Sequence, residues 1–172
     1  MSERTPLAKV VVLGPAEAGK STLIQALTSA PMNLAIRGRT VAMDHGMIER
    51  DGVALSIVGV PGQERFAPVR ATLLEGARAA IWVHPAGAEA DATTAATVRE
   101  LSARGVPHLV FINERQGSPD GDGHAWGHDL SLPRPREILR GDALRSRAAA
   151  RAVKEALWHL VLTELRGNAH GG

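Results

Sequence analysis

The eight residues GPAEAGKS, positions 14 to 21, constrain this chain more than any others. They match the spacing G-x-x-x-x-G-K-[ST], with the apolar run AKVVVLG (8–14) leading in and the helical pattern KSTLIQALTSA (20–30) leading out before Pro31. Glycines let such a loop turn so that successive backbone N–H groups point inward and cradle phosphate oxygens. A helix that starts at the loop adds the positive end of its dipole. In this frame Lys20 contacts the β- and γ-phosphates of a nucleoside triphosphate, and Ser21 offers its hydroxyl to a magnesium ion. The candidate phosphate-binding residues are thus Gly14, Ala16, Glu17, Ala18, Gly19, Lys20, Ser21 and Thr22.

Beyond the loop, strand-like and helix-like segments alternate, the pattern of an α/β fold with a mostly parallel sheet. Strands are expected at 8–14, 41–49, 52–60, 79–85, 106–113 and 137–140. Asp51-Gly52 sits between the second and third of these, a dipeptide that favours a tight hairpin because glycine tolerates positive φ. The expectation is a three-layer fold with a mostly parallel six-stranded sheet, one antiparallel edge strand and helices on both faces. A helix over 91–104 stops at Gly105, and a last helix over 146–165 places Val153, Leu157, Leu160 and Val161 on one apolar face. One domain over 1–167 is expected, with a disordered tail over 168–172. The stretch 116–135 is rich in Gly, Pro and Asp where a doubly wound fold carries another helix, so that helix is shortened or missing.

Composition narrows the function classes. The chain has no cysteine, which excludes disulfides, thiolate zinc sites and lipid attachment through Cys, and a reducing cytoplasm is the expected location. A formal net charge of +2 and only three Trp, two Phe and no Tyr argue against nucleic acid as a partner. No apolar run approaches the length of an integral membrane segment. His124 and His128 are four apart but have no third ligand nearby, and SPDGDGH lacks the glycine and the terminal acid of a calcium loop. Both are read as loop residues. Arg134, Arg136, Arg140, Arg145, Arg147 and Arg151 face only Glu137 and Asp142, which fits a solvated surface, an acidic protein partner or peripheral membrane contact through anionic headgroups.

Three segments in order, GPAEAGKS, RTVAMDHG and VGVPGQERF, make nearly the whole chain resemble the Ras-like small GTPases. Among these it is similar to the bacterial group that includes the gliding-motility polarity GTPase and relatives working with roadblock-type partners. The resemblance implies a switch that binds GTP or GDP with magnesium, hydrolyses GTP slowly with partner stimulation, and meets a regulatory or effector protein at its switch regions. Thr40 falls at the first-switch threonine that, with Ser21, holds magnesium. Gly62 falls where a backbone N–H meets the γ-phosphate, and Gln63 where a side chain orients the attacking water. Arg37, three residues before Thr40, and Arg65, just after Gln63, are the candidate catalytic cations, each weighed against a solvated surface arginine. Asp142 and Ala143 resemble the last base-contacting stretch.

The chain also departs from that pattern. Gly59 stands where the family has a magnesium-supporting aspartate; Asp44 is a candidate to compensate, and equally a candidate to face solvent. Ala16 replaces a glycine that faces the γ-phosphate, which implies slow turnover or an arginine arriving from another direction. The family ends its fifth strand with Asn-Lys-x-Asp; here Asn113 is kept, and Glu114 and Gln116 occupy the Lys and Asp positions. A glutamine amide offers one donor and one acceptor, which suits an adenine edge better than the two donors of guanine. Two readings therefore stay open: a working GTPase, and a fold-retaining interaction module with weak or altered nucleotide binding.

Overall fold

The structure, a computed structural model, describes residues 7–28, 32–36, 39–62, 67–115, 126 and 131–169; for 32–36, 39–43 and 168–169 the backbone alone is described. The sheet is assembled from β1 (Leu7–Leu13), β2 (Met32–Ile36), β3 (Arg39–Arg50), β4 (Val53–Gly59), β5 (Ala77–Pro85), β6 (His108–Asn113) and β7 (Glu137–Gly141). Its order is β2-β3-β4-β1-β5-β6-β7. From β4 to β7 all neighbours are parallel, whereas β3 runs antiparallel to β4 and to β2. The expected three-layer α/β fold is present. Each of the six expected strands has its counterpart, and β2 adds a seventh beyond the hairpin. The hairpin turn has positive φ at both Asp51 (52°) and Gly52 (76°), as the dipeptide implied.

Among the described residues four helices cover the faces: α1 (Lys20–Leu27), α2 (Ala67–Leu74), α3 (Ala92–Ala103) and α4 (Arg147–Ala169). Successive strand residues point to opposite faces, and the core divides accordingly. Val10, Val12, Ile81, Val83, Leu109 and Phe111 pack under α1 and α4, with Leu23, Ile24, Leu157 and Trp158. Val11, Leu13, Ala80, Trp82, Val110 and Ile112 pack under α2 and α3, with Leu74, Val98 and Leu101. Because both faces are covered, the parallel strands read as continuous apolar runs.

Two helices differ from the sequence expectation. α4 continues past the expected end at 165, through Gly167 to Ala169, because a single glycine late in a long, well-packed helix costs too little to end it. α2 was not foreseen, since it has eight residues, a proline at its second position and only Leu73 and Leu74 buried. The stretch 116–125 and 127–130, where a shortened or missing helix is expected, lies outside the described residues. Trp126 is buried on the α3 side, tilted against Trp82 with ring centroids 6.2 Å apart and edge-on to His84 at 4.9 Å.

Trp158 anchors α4 to the sheet, is 1 % exposed, and has no hydrogen-bond partner for its indole N–H. Its contribution is therefore volume rather than polarity. Trp158→Ala is expected to destabilise the fold by about 3–5 kcal/mol, and Trp158→Phe, which keeps most of the ring volume, by less. Urea unfolding of the two variants checks this; equal losses would contradict it.

Candidate functional site

In a parallel sheet the loops leaving the carboxyl ends of the strands gather at one edge. Here those loops follow β1, β4, β6 and β7, and they bring together residues from positions 14 to 143. The loop after β1 turns through Glu17 at φ 62° into α1, whose first turn has neither a side-chain cap nor an acidic residue. Its free N–H groups and positive dipole end therefore face the loop. By contrast, Asp91 caps α3 by accepting from the Thr94 N–H at 2.8 Å.

Lys20 folds back over the loop, donating to the carbonyls of Gly14 at 2.9 Å and Pro15 at 2.6 Å. Burial pushes its ammonium down to about 8, while the nearby Asp44 charge pulls in the opposite direction. The next side chain, Ser21, donates its hydroxyl to the Asp44 carboxylate. That contact answers what the sequence left open: Asp44 faces the loop. A Cβ placed on Gly59 would lie 3.6 Å from the Asp44 Cβ, so the carboxylate missing from β4 is supplied by the neighbouring strand β3. A hydroxyl and a carboxylate side by side are the hard oxygen donors that suit magnesium. The residues present thus fit that ion.

Gly62 closes the site from the β4 side. A Cβ on it would meet the Gly14 carbonyl at 2.4 Å and the Ala16 N–H at 2.9 Å, so only glycine allows this chain segment to lie against the loop. A cavity of about 180 Å³ opens beside that contact, lined by Gly14, Ala16, Gly62, Trp82, Thr94 and the half-buried Arg70 of α2, among others. Arg70 makes no ion pair among the described residues. Sequence reasoning missed it because the helix that positions it was not recognised.

On the opposite flank, Asn113 is buried and bridges two loops. Its amide donates to the Ala18 carbonyl at 2.9 Å, and its oxygen accepts from the Ala143 N–H at 3.1 Å. Asp142 spends its carboxylate on its own turn, accepting from the N–H of Leu144 at 2.8 Å and of Arg145 at 3.2 Å. Glu114 is drawn away from the loop: its N–H continues the strand ladder to Gly141 and its side chain pairs with Arg140 at 3.1 Å. Arg115, one residue later, donates to the Glu17 carbonyl. A long cation therefore braces the phosphate loop one position further along than counting residues suggested.

The structure thus brings together Gly14, Ala16, Glu17, Ala18, Gly19, Lys20, Ser21, Gly62, Asn113, Asp142 and Ala143, with Thr22 on the same helix turn. Thr40 lies in β3, where its backbone alone is described. Gln63, Arg65, Arg37 and Gln116 lie outside the described residues, as do His124 and His128. Among the described residues no three acidic or histidine side chains gather around a metal-sized space, and no helix is long and apolar enough to cross a membrane.

Comparison with known proteins agrees with this geometry. The profile of the family described as 50S ribosome-binding GTPase matches residues 9–114, more than half of the chain. An uncharacterized protein of Methanocaldococcus jannaschii is 24% identical over 151 residues, which cover 88% of this chain and 96% of that one. Among solved structures, the G domain of the T. maritima FeoB iron transporter superposes with a TM-score of 0.67 at 18% identity, covering 90% of this chain and 98% of that one. A bacterial selenocysteine-specific elongation factor reaches 0.72 at 18% identity, covering 92% of this chain and 29% of that chain.

The depressed Lys20 ammonium makes a test available on the free protein. Its folded value near 8 lies below the 10.5 of an exposed lysine, so between these the unfolded chain holds more protons, and the Lys20 contribution to stability rises with pH. The stability of Lys20→Met relative to the parent is expected to be highest below pH 8 and to fall as pH approaches 10.5. Urea midpoints of both proteins across that window check this, and a pH-independent difference would contradict it.

Proposed function

The chain belongs to the 50S ribosome-binding GTPase family, and from that premise we propose that it is a Ras-like, GTP-binding molecular switch that takes GTP or GDP with magnesium and hydrolyses GTP slowly. The observation that carries this reading is the Ser21–Asp44 contact, placed beside Lys20 at the uncapped start of α1. It sets a carboxylate beside Ser21, and the lack of one at Gly59 is, with Glu114 and Gln116, among the features that favour a degenerate site.

In this reading the loop N–H groups from Ala16 to Ser21, with Thr22, surround the phosphates. Lys20 leaves the Gly14 and Pro15 carbonyls to meet them. Ser21 and Thr40 hold magnesium and Asp44 supports it. The ion, when bound, neutralises charge on the β- and γ-phosphate oxygens. Gly62 presents its N–H to the γ-phosphate, and Gln63 orients the attacking water. Arg37, Arg65 or the newly found Arg70 provides the cation that stabilises charge developing on the phosphate oxygens, with Arg70 favoured by its place beside Gly14, Ala16 and Gly62. Asn113 and Ala143 frame the base, with Asp142 holding that loop in shape. Guanine is the preferred base by family membership, despite Gln116. The switch segments meet a regulatory or effector protein, a roadblock-type protein being one class, in the cytoplasm.

Asp44→Asn is expected to raise the magnesium concentration for half-maximal GTP hydrolysis by about tenfold or more, since removing a supporting carboxylate weakens a metal site by roughly that factor. Gln63→Leu is expected to slow hydrolysis at least about tenfold while leaving GTP affinity unchanged. Single-turnover assays over a magnesium series read both. An unaltered magnesium requirement in Asp44→Asn would remove Asp44 from the metal site.

A further inference from the structure

Away from the phosphate loop, a groove of about 580 Å³ runs between α1, the end of β3 and the first half of α4. Its walls carry Arg147, Arg151 and Lys154, with Ala26 of α1, Ser146 and the Arg50–Glu155 ion pair also lining it. Arg50 is engaged twice over, by both Glu155 carboxylate oxygens and by the face of Trp158, 5.4 Å from its ring centre. Arg147, Arg151 and Lys154 make no ion pair among the described residues, although Lys154 lies close enough to Glu155 to help hold that carboxyl below its usual range.

This arrangement works against the stability of the free protein. Arg147 and Arg151 are four apart and Lys154 three further on, so like charges stack and repel along one helix face. Arg147 is also the first residue of α4, whose first turn contains no acid, so a cation sits unfavourably at the positive end of the helix dipole. Two other arginines of the same sequence cluster are neutralised, Arg136 by Glu164 at 3.6 Å and Arg140 by Glu114 at 3.1 Å. Arg147 and Arg151 of that cluster, joined by Lys154, share the wall of this one groove.

We propose that this groove is a second anion site, separate from the phosphate loop, which takes a phosphoryl-bearing ligand of at least two negative charges. Guanidinium forks match phosphate oxygens in pairs, and Lys154 adds a compact charge at the same wall. Ser146 completes the set: its oxygen accepts from the Ala149 N–H at 3.0 Å, which leaves its hydroxyl hydrogen free to donate. The volume exceeds that of one phosphate and accommodates a diphosphate or a phospholipid headgroup.

The test uses the full chain carrying Lys20→Ala, which silences the phosphate loop, so it stands whether or not the nucleotide reading holds. Pyrophosphate binding is followed by calorimetry, and lipid binding by co-sedimentation with phosphatidylglycerol vesicles against phosphatidylcholine vesicles. Binding of pyrophosphate supports a soluble phosphorylated ligand; sedimentation with phosphatidylglycerol alone supports a lipid headgroup. In either case combined Arg147→Gln, Arg151→Gln and Lys154→Gln is expected to weaken binding at least about tenfold. Arg147→Glu, which pairs with Arg151 and suits the helix dipole, is expected to raise the thermal midpoint while weakening binding to a similar degree. Failure to bind either probe, or binding unaltered by these variants, would overturn the proposal.

Discussion

The buried Asn113 carboxamide joins segments that are far apart in the chain. By donating to Ala18 and accepting from Ala143 it fixes the loop after β1 to the loop after β7, across the ends of β5 and β6. Both of its polar groups are satisfied at 4 % exposure, and a buried amide left with one partner would lose about 1–3 kcal/mol for the orphaned group. The amide is therefore tolerated only while both loops hold their places. The phosphate loop depends on this bridge from one side and on the contact with Gly62 from the other.

Within that frame, the edge beside Ser21 illustrates how a sheet can place a carboxylate from one strand where its neighbour has only a glycine. β3 and β4 are antiparallel neighbours, so a carboxylate on either strand reaches the same volume near the start of α1. Gly59 leaves that volume open, and Asp44 fills it and meets Ser21. A similar displacement occurs after β6. Glu114 extends the strand, and the alternation of side chains sends it toward Arg140 on β7, while Arg115 turns toward Glu17. In both places the contact follows spatial position rather than motif count.

This explains which features could be read from the sequence. β1, the loop and α1 were legible because a buried strand, a glycine-rich turn and a helix start reinforce one another within twenty residues. The hairpin was legible from Asp51-Gly52, and the buried face of α4 from the spacing of Val153, Leu157, Leu160 and Val161. The edge strand β2 was not, since five residues paired on one side carry too little periodicity to register. α2 was hidden by its Pro68 and its two buried leucines, and Arg70 was hidden with it. The roles of Asp44 and Arg115 depend on contacts between elements, which no local pattern encodes.

The account rests on nucleotide binding at the phosphate loop. Its most direct measurement is calorimetric titration of nucleotide-free protein with GTP, GDP, ATP and ADP in the presence of magnesium. Saturable binding of GTP and GDP, at least about tenfold tighter than that of the adenine nucleotides, is the predicted result. Absence of heat with all four, or tighter binding of ATP than of GTP, would contradict it.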